Sequence, residues 1–307
     1  MILNFLIAAI LAGAPLVLAT VGEIVTEKSG NINLGVEGTM YVGAVGGLFG
    51  AILCEKLHLS GIFAVLAAVL FSMLCGILTS LVYSFFTVTL RVNQNVIGLT
   101  ITILGTGLGN FLGEKMGQEA GGYVSVSDET KAFFSNSIGG FNWMVYFSLL
   151  VAVVVFLLIH KTKTGLKLQA VGENPKAADS AGISVTKYRY LATMAGGGLC
   201  GLAGMYMCMV SNSGVWVHDC ISGYGWLAVA LVIFSRWNTL FALLCSVVFG
   251  GLMIMRMYIP IPGLSPFVYD MCPYIVTCIV IIFSGMRGKG GSGLPAGCGE
   301  NYYRETR

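Results

Sequence analysis

Long apolar segments dominate this chain and limit what it can fold into. They run for about 17 to 25 residues, the length that an α-helix needs to cross a bilayer, and lack the alternation of outer-membrane strands. Only 10% of the 307 residues are charged, and the mean hydropathy is +0.83. Inside a bilayer the backbone polar groups must be satisfied within the segment, as a helix does. We therefore predict an all-α, polytopic membrane bundle with about eight or nine transmembrane segments.

The distribution of Lys and Arg predicts how these segments are oriented. If the segments alternate and the long polar segment 161–189 is cytoplasmic, 13 of the 17 basic residues lie inside. The four outside are Lys56, Lys115, Lys131 and Arg256. Cytoplasmic loops of membrane proteins carry such an excess of positive charge. The N-terminus is therefore expected outside and the C-terminus inside a bacterial cytoplasmic membrane.

Residues 1–286 are expected to form one transmembrane domain. Its first span is predicted to end near Val21, with a polar connection over Glu23–Glu37 before the second. The apolar run Tyr224–Phe234 is too short to cross alone, which suggests a broken or re-entrant helix. Residues 287–307 are basic and Gly-rich, a composition typical of a disordered cytoplasmic tail.

The polar segment contains a short helix with clear boundaries. Its sequence, GLKLQAVGENPKAADSAGISVTKYR, has an N-cap, a proline suited to the first helical position, helix-favouring alanines and a closing glycine. These residues are Asn174, Pro175, Ala177, Ala178, Ala181 and Gly182. Isolated helices shorter than about 12 to 15 residues are marginal in water, so this one needs something to pack on. Either it contacts a partner protein, or it is a turn in an ordinary cytoplasmic loop.

Three motifs resemble one family. The polar segment is similar to the coupling loop, G-L-x-L-x-A-V-G-E-N-P-x-A-A-x-x-A-G-I, of permease subunits in bacterial ABC importers of the ribose, nucleoside and branched-chain amino acid type. NLGVEGTM (Asn33–Met40) resembles a signature of the nucleoside branch. GYGWLAVALVIFSRWNTLFALL (Gly223–Leu244) resembles a late family pattern, with Ser235 and Thr239 replacing the usual Gly and Pro.

The resemblance implies a function and a set of partners. The short helix would dock on a separate ATPase and transmit its closure to the membrane domain. The residues expected to couple the two are Gly172, Glu173, Asn174, Pro175, Ala177, Ala178, Ala181 and Gly182. The further partners would be a second, related permease, an extracytoplasmic substrate-binding lipoprotein and membrane lipid, with no nucleic acid.

Chemistry within the chain itself is not expected. No G-x-x-x-x-G-K-[ST] phosphate loop occurs, so ATP and Mg²⁺ are assigned to the partner ATPase and no cofactor to this chain. The nine cysteines form no C-x-x-C pair and His58, His160 and His218 show no metal-ligand spacing. We predict neither a catalytic nor a metal site.

Five polar residues are candidates for the solute path. An acid within a membrane span usually faces a cavity or a partner, so Glu37 either lines the path or lies solvated at the interface. Amides can bind the hydroxyls or base edges of an uncharged solute, but they also cap helices. The candidates are Asn33, Glu37, Asn93, Gln94 and Asn95.

The sequence is also compatible with other solutes and other classes of membrane protein. The resemblance favours nucleosides, but neighbouring branches carry simple sugars and riboflavin. An ion-gradient secondary transporter would need intramembrane acidic groups, for which Glu37 is the candidate. A membrane-embedded enzyme is disfavoured because the predicted spans contain no His, Asp, Ser and Cys constellation.

Overall fold

The computed structural model describes residues 2–59, 61–260, 265–286 and 293–304, most of which are helical. The helices are α1 (Ile2–Lys28), α2 (Val36–Lys56), α3 (Ile62–Ser84), α4 (Gln94–Glu119), α5 (Asp128–Ser135), α6 (Trp143–Lys161), α7 (Lys163–Glu173), α8 (Pro175–Ser180), α9 (Val185–Tyr206), α10 (Tyr224–Phe234), α11 (Thr239–Tyr258) and α12 (Pro266–Met286). Strands β1 (Ser137–Ile138) and β2 (Phe141–Asn142) pair antiparallel. π-helical turns extend α3 to Thr89 and α9 to Ser211.

Seven of the described helices are long and apolar enough to cross a membrane: α1, α2, α3, α4, α6, α9 and α11. Two shorter apolar helices, Tyr224–Phe234 and Pro266–Ile279, add to them. The chain is therefore a polytopic helical membrane protein, as predicted. The run Tyr224–Phe234 forms a separate 11-residue helix, which confirms that it is too short to be a regular span.

Helix α9 lies at the centre of the bundle and packs closely on α1, α2 and α3, and α2 also packs on α3. Glycines make these contacts. A Cβ on Gly43 of α2 would lie 2.6 Å from the carbonyl oxygen of Gly201 on α9, and one on Gly201 would collide with the Ser72 carbonyl on α3. Between lipid-embedded helices there is little hydrophobic driving force, so close van der Waals contact through small residues stabilises the bundle.

The first helix is longer than predicted. Instead of ending near Val21, α1 continues to Lys28 and carries Glu23 and Glu27 inside the protein. Both carboxylates have partners: the backbone N–H of Asn33 donates to Glu23 Oε1 at 3.1 Å, and the indole N–H of Trp237 donates to Glu27. These hydrogen bonds stabilise the two carboxylates inside the protein, so α1 can continue through them. The connection between α1 and α2 is therefore shorter than predicted and covers only the few residues between Lys28 and Val36.

The C-terminal part of the chain also differs from the prediction. Residues 293–304 lie against the ends of several helices, and the backbone N–H of Gly299 donates to the carbonyl of Gly30 at 3.0 Å. The predicted disorder is therefore wrong for this stretch. Residues 287–292 and 305–307 of the predicted tail lie outside the described residues.

The glycine contacts predict the effect of adding one methyl group. Gly43→Ala should cost about 1 to 3 kcal/mol, because the new Cβ would overlap the α9 backbone. Gly107 in α4 has nothing within 4 Å of a Cβ, so Gly107→Ala is a matched control and should be neutral or slightly stabilising through helix propensity. The midpoint of thermal unfolding in detergent measures both; equal midpoints for the two variants would contradict this account of the packing.

Candidate functional site

Helix α8 forms as its local sequence predicts. The side-chain oxygen of Asn174 accepts a hydrogen bond from the Ala177 N–H at 3.0 Å, and Pro175 occupies the first turn. Gly182 has a φ of +79°, and its N–H donates to the Asp179 carbonyl at 2.9 Å. Only glycine adopts this backbone conformation readily, so the chain turns away after Ala181.

One side of α8 packs on its own chain. Ala178 is 3% exposed and contacts a small apolar cluster with Val171 of α7 and Val185 of α9, and Tyr302 packs against it. The opposite side is exposed at Lys176 and Ala177. The short helix therefore has a supported face and a free face.

The predicted coupling residues divide between these two faces. Those that are buried are Gly172 and Ala178, and Pro175 is half-buried. Those that are exposed are Glu173, Asn174, Ala177, Ala181 and Gly182. The structure thus brings all of them into one compact unit, of which only the exposed set is accessible to a partner.

The unit is attached to the membrane helices through α7. Gly165 fits against the last carbonyls of α6, and the Gln169 side chain donates to the Ile159 carbonyl at 2.8 Å. Gly172 fits against the carbonyl of Lys28 at the end of α1. Helix α7 therefore connects α8 to the ends of α1 and α6.

A buried polar cluster lies beneath this unit, and sequence reasoning missed it. Glu23 and Arg189 are almost fully buried, and an Arg189 Nη1–H donates to the Glu300 carbonyl at 2.9 Å. The sequence contains one indication of this cluster: Glu23 and Glu27 are four residues apart and therefore lie on one face of an apolar helix. Their partners, Trp237 among them, are distant in sequence.

Four of the five path candidates lie near this end of the bundle. The buried Asn33 accepts from the Gly35 N–H at 2.9 Å, and Gln94 accepts from the Ile32 N–H at 2.8 Å. Asn93 caps α4 by accepting from the N–H groups of Asn95 and Val96. Asn95 itself is exposed. Of these amides, Gln94 joins the α1–α2 connection to the start of α4, and Asn33 and Asn93 bind their own neighbours in the chain.

Glu37 lies apart from them, deeper in the bundle. The neighbouring Gly38 packs on Gly105 of α4, about 17 Å from the start of that helix at 1.5 Å per residue. Glu37 packs against the first turn of α10, where a Cβ on Gly225 would collide with the Glu37 Cβ. A helix N-terminus has free N–H groups and a positive dipole end, so an acid beside the start of α10 is electrostatically favourable.

A second acid, Asp219, stands near Glu37. The Asn110 side chain donates to Asp219 Oδ1 at 2.7 Å, and the Tyr41 hydroxyl donates to the same oxygen at 3.3 Å. The Asp219 side chain is 55% exposed on the outer face of the bundle. Sequence reasoning did not single out Asp219 or Asn110, because they are 109 residues apart and only the fold brings them together.

Comparison with known proteins places these features in context. Residues 5–284 match the family model described as branched-chain amino acid transport system / permease component. The chain is 31% identical to a putative glucose ABC transporter permease of Haloferax volcanii, over 97% of each protein. It is 31% identical to a guanosine ABC transporter permease of Bacillus subtilis, over 94% of this chain and 93% of that protein. A nucleoside ABC transporter permease of Lactococcus lactis subsp. cremoris is 30% identical, over 87% of each.

The cap of α8 generates a prediction about the coupling loop. Asn174→Ala should destabilise the helix by about 1 kcal/mol because the Ala177 N–H loses its acceptor. Tryptic cleavage after Lys176 in purified protein should then be about fivefold faster. Asn174→Asp keeps a capping oxygen and serves as the control. If the two variants are cleaved at the same rate, the side-chain cap does not hold the helix.

Proposed function

Because the chain belongs to the branched-chain amino acid transport system / permease component family, we propose that it imports nucleosides or a related small polar solute into the cytoplasm. It is a permease subunit of an ABC transporter, a class of subunit that is not itself an enzyme. In this proposal a separate ATPase binds ATP and Mg²⁺. The ion-gradient alternative is set aside because the family works with ATPase and substrate-binding partners.

The observation that carries the proposal is the two-faced helix α8. Its free face, around Lys176 and Ala177, fits a docking site for the ATPase, and its other face rests on the membrane domain through Ala178. Closure of the ATPase on ATP would push α8 against α7, and α7 would move the ends of α1 and α6. The excess of basic residues on the coupling-loop side supports a cytoplasmic position for α8, with the N-terminus outside.

The solute is inferred from two kinds of similarity. Two relatives of near-equal length are named for guanosine and for nucleosides, and Asn33–Met40 matches the signature of the nucleoside branch. A relative named for glucose is equally similar, so simple sugars are the second candidate. Nucleosides and sugars share hydroxyl groups, which amide and carboxylate oxygens bind well.

We further infer that the solute passes along the outer face that carries Asp219, with Glu37 beneath it. Both acids stand beside the N-terminus of a broken helix, as in the midplane binding sites of many transporters. The hydrogen bonds of Asn33, Asn93 and Gln94 support a structural role for these three amides instead. A second permease would cover this face, and a lipoprotein outside would deliver the solute.

The solute assignment is tested by uptake into proteoliposomes that contain the complete transporter and its binding protein. Labelled guanosine, uridine, glucose, ribose and riboflavin are compared at equal concentration, with and without ATP. We expect at least about tenfold faster uptake of a nucleoside than of glucose. A site that hydrogen-bonds one solute discriminates strongly against another solute that leaves the polar groups of the site unpaired. Preferred uptake of glucose would assign the chain to sugar import, and uptake without ATP would contradict the ATP-driven mechanism.

The docking role of α8 predicts the effect of adding bulk to its free face. Ala177→Trp should lower uptake about tenfold or more, the effect of about 1.4 kcal/mol, because the exposed side chain would obstruct the ATPase. The permease itself should fold normally, since Ala177 is exposed. Lys167→Trp, at an exposed position of α7, is the control. Unchanged uptake by Ala177→Trp would contradict docking at this face.

A further inference from the structure

The stretch 293–304, which we call the C-terminal strap, joins parts of the protein that are distant in sequence. It lies between the coupling loop on one side and the ends of the membrane helices on the other. The contacts are hydrogen bonds and side-chain packing on both sides, with one ion pair to α8, between the exposed Arg304 and Asp179 at 3.4 Å. The hydrogen bonds and packing fix position more tightly than this ion pair, because surface ion pairs contribute little in water.

On the coupling side the strap makes contacts before α8 and beside it. Before the helix, the Gly297 N–H donates to the Gly172 carbonyl at 2.9 Å, and the Ala296 N–H donates to the Glu173 carboxylate at 3.1 Å. Beside the helix, the ring of Tyr302 packs on the cluster that contains Ala178. The supported face of α8 is therefore formed partly by the strap.

On the membrane side the strap contacts three different elements. The Lys28 ammonium at the end of α1 donates to the Gly293 carbonyl at 2.8 Å, and Arg189 of α9 donates to Glu300. The Asn301 side chain donates to the Arg91 carbonyl at 2.6 Å, just before α4. These hydrogen bonds therefore connect the strap to one end each of α1, α4 and α9.

From this arrangement we propose that the C-terminal strap is a positioning element, which holds α8 in register and carries its displacement to α1 and α4. The inference rests on the proposed docking of α8 to an ATPase. Helix α7 already links α8 to α1 and α6. The start of α4, in contrast, is linked to α8 through Asn301 of the strap. Without the strap, α8 would still dock, and part of its movement would be lost before it reached α4.

The test compares Tyr302→Ala with Tyr302→Phe in the complete transporter in proteoliposomes. Tyr302→Ala removes the ring that packs on α8, and Tyr302→Phe retains it. Both ATP hydrolysis and solute uptake are measured per assembled complex. We expect Tyr302→Ala to hydrolyse ATP within about twofold of the parent, while the solute imported per ATP falls about tenfold, equivalent to about 1.4 kcal/mol. Tyr302→Phe should behave like the parent.

A purely structural role would give a different result. In that case Tyr302→Ala would lower the amount of assembled transporter but leave the solute imported per ATP unchanged, and this outcome would overturn the proposal. Asn301→Ala provides a second variant that leaves the α8 cluster intact, and it should lower the same ratio. An unchanged ratio in Asn301→Ala would show that the strap does not act on α4.

Cys298 reports directly on whether the strap is seated. Burial, together with the nearby Glu27, raises the pKa of its thiol, so a seated strap should react slowly with maleimide at neutral pH. In a variant that keeps Cys298 as its single cysteine, Tyr302→Ala should speed this reaction at least about fivefold. An unchanged rate would mean that the ring does not seat the strap.

The two proposals fail in distinguishable ways. If Ala177→Trp transports normally, docking of an ATPase at the free face of α8 is wrong, whatever the strap does. If Ala177→Trp blocks uptake but Tyr302→Ala keeps the parental ratio of solute to ATP, docking stands and the strap has no part in coupling.

Discussion

Close contact between helix backbones is the constraint on which the rest of the structure depends. In a bilayer, apolar side chains gain little by leaving lipid for protein, so helices associate where their surfaces fit tightly. Gly43, Gly76 and Gly201 bring α2, α3 and α9 to backbone contact, and α1 packs on α9 in the same way through Gly22 and Gly196. This dense centre gives the shorter elements a fixed surface to attach to.

Polar residues then determine where the chain departs from regular helices. Two buried acids have partners that a continuous helix would not offer: Glu23 binds the connection after α1, and Glu27 binds Trp237. A third, Glu37, packs against Gly225 in the first turn of α10. An unpaired polar group in a nonpolar environment costs free energy. The acids therefore help to fix the positions of the α1–α2 connection and of the broken helix. These two elements lie next to the regions that we propose take part in transport.

What the sequence predicts correctly is local, and what it misses depends on distant partners. The cap at Asn174, the proline at 175 and the turn at Gly182 are read from neighbouring residues, and the lengths of the apolar runs follow from bilayer thickness. By contrast, α1 continues past Val21 because Trp237 reaches Glu27 from 210 residues away. The ordered conformation of the strap was not predicted, because its composition alone is typical of a disordered tail. The strap is ordered by hydrogen bonds and packing with carbonyls and side chains of four other segments.

The same packing argument determines where a solute can pass. The centre of the described bundle is filled by backbone contacts, which is why we propose a path along its outer face. Asn110 lies five residues before Lys115, which is expected outside, so Asp219 stands towards the outer end of α4. An exposed carboxylate such as Asp219 is costly wherever it faces lipid. A second chain that covers this face would replace lipid with a polar, solvated passage, which is the physical reason for proposing that the permease works as a pair.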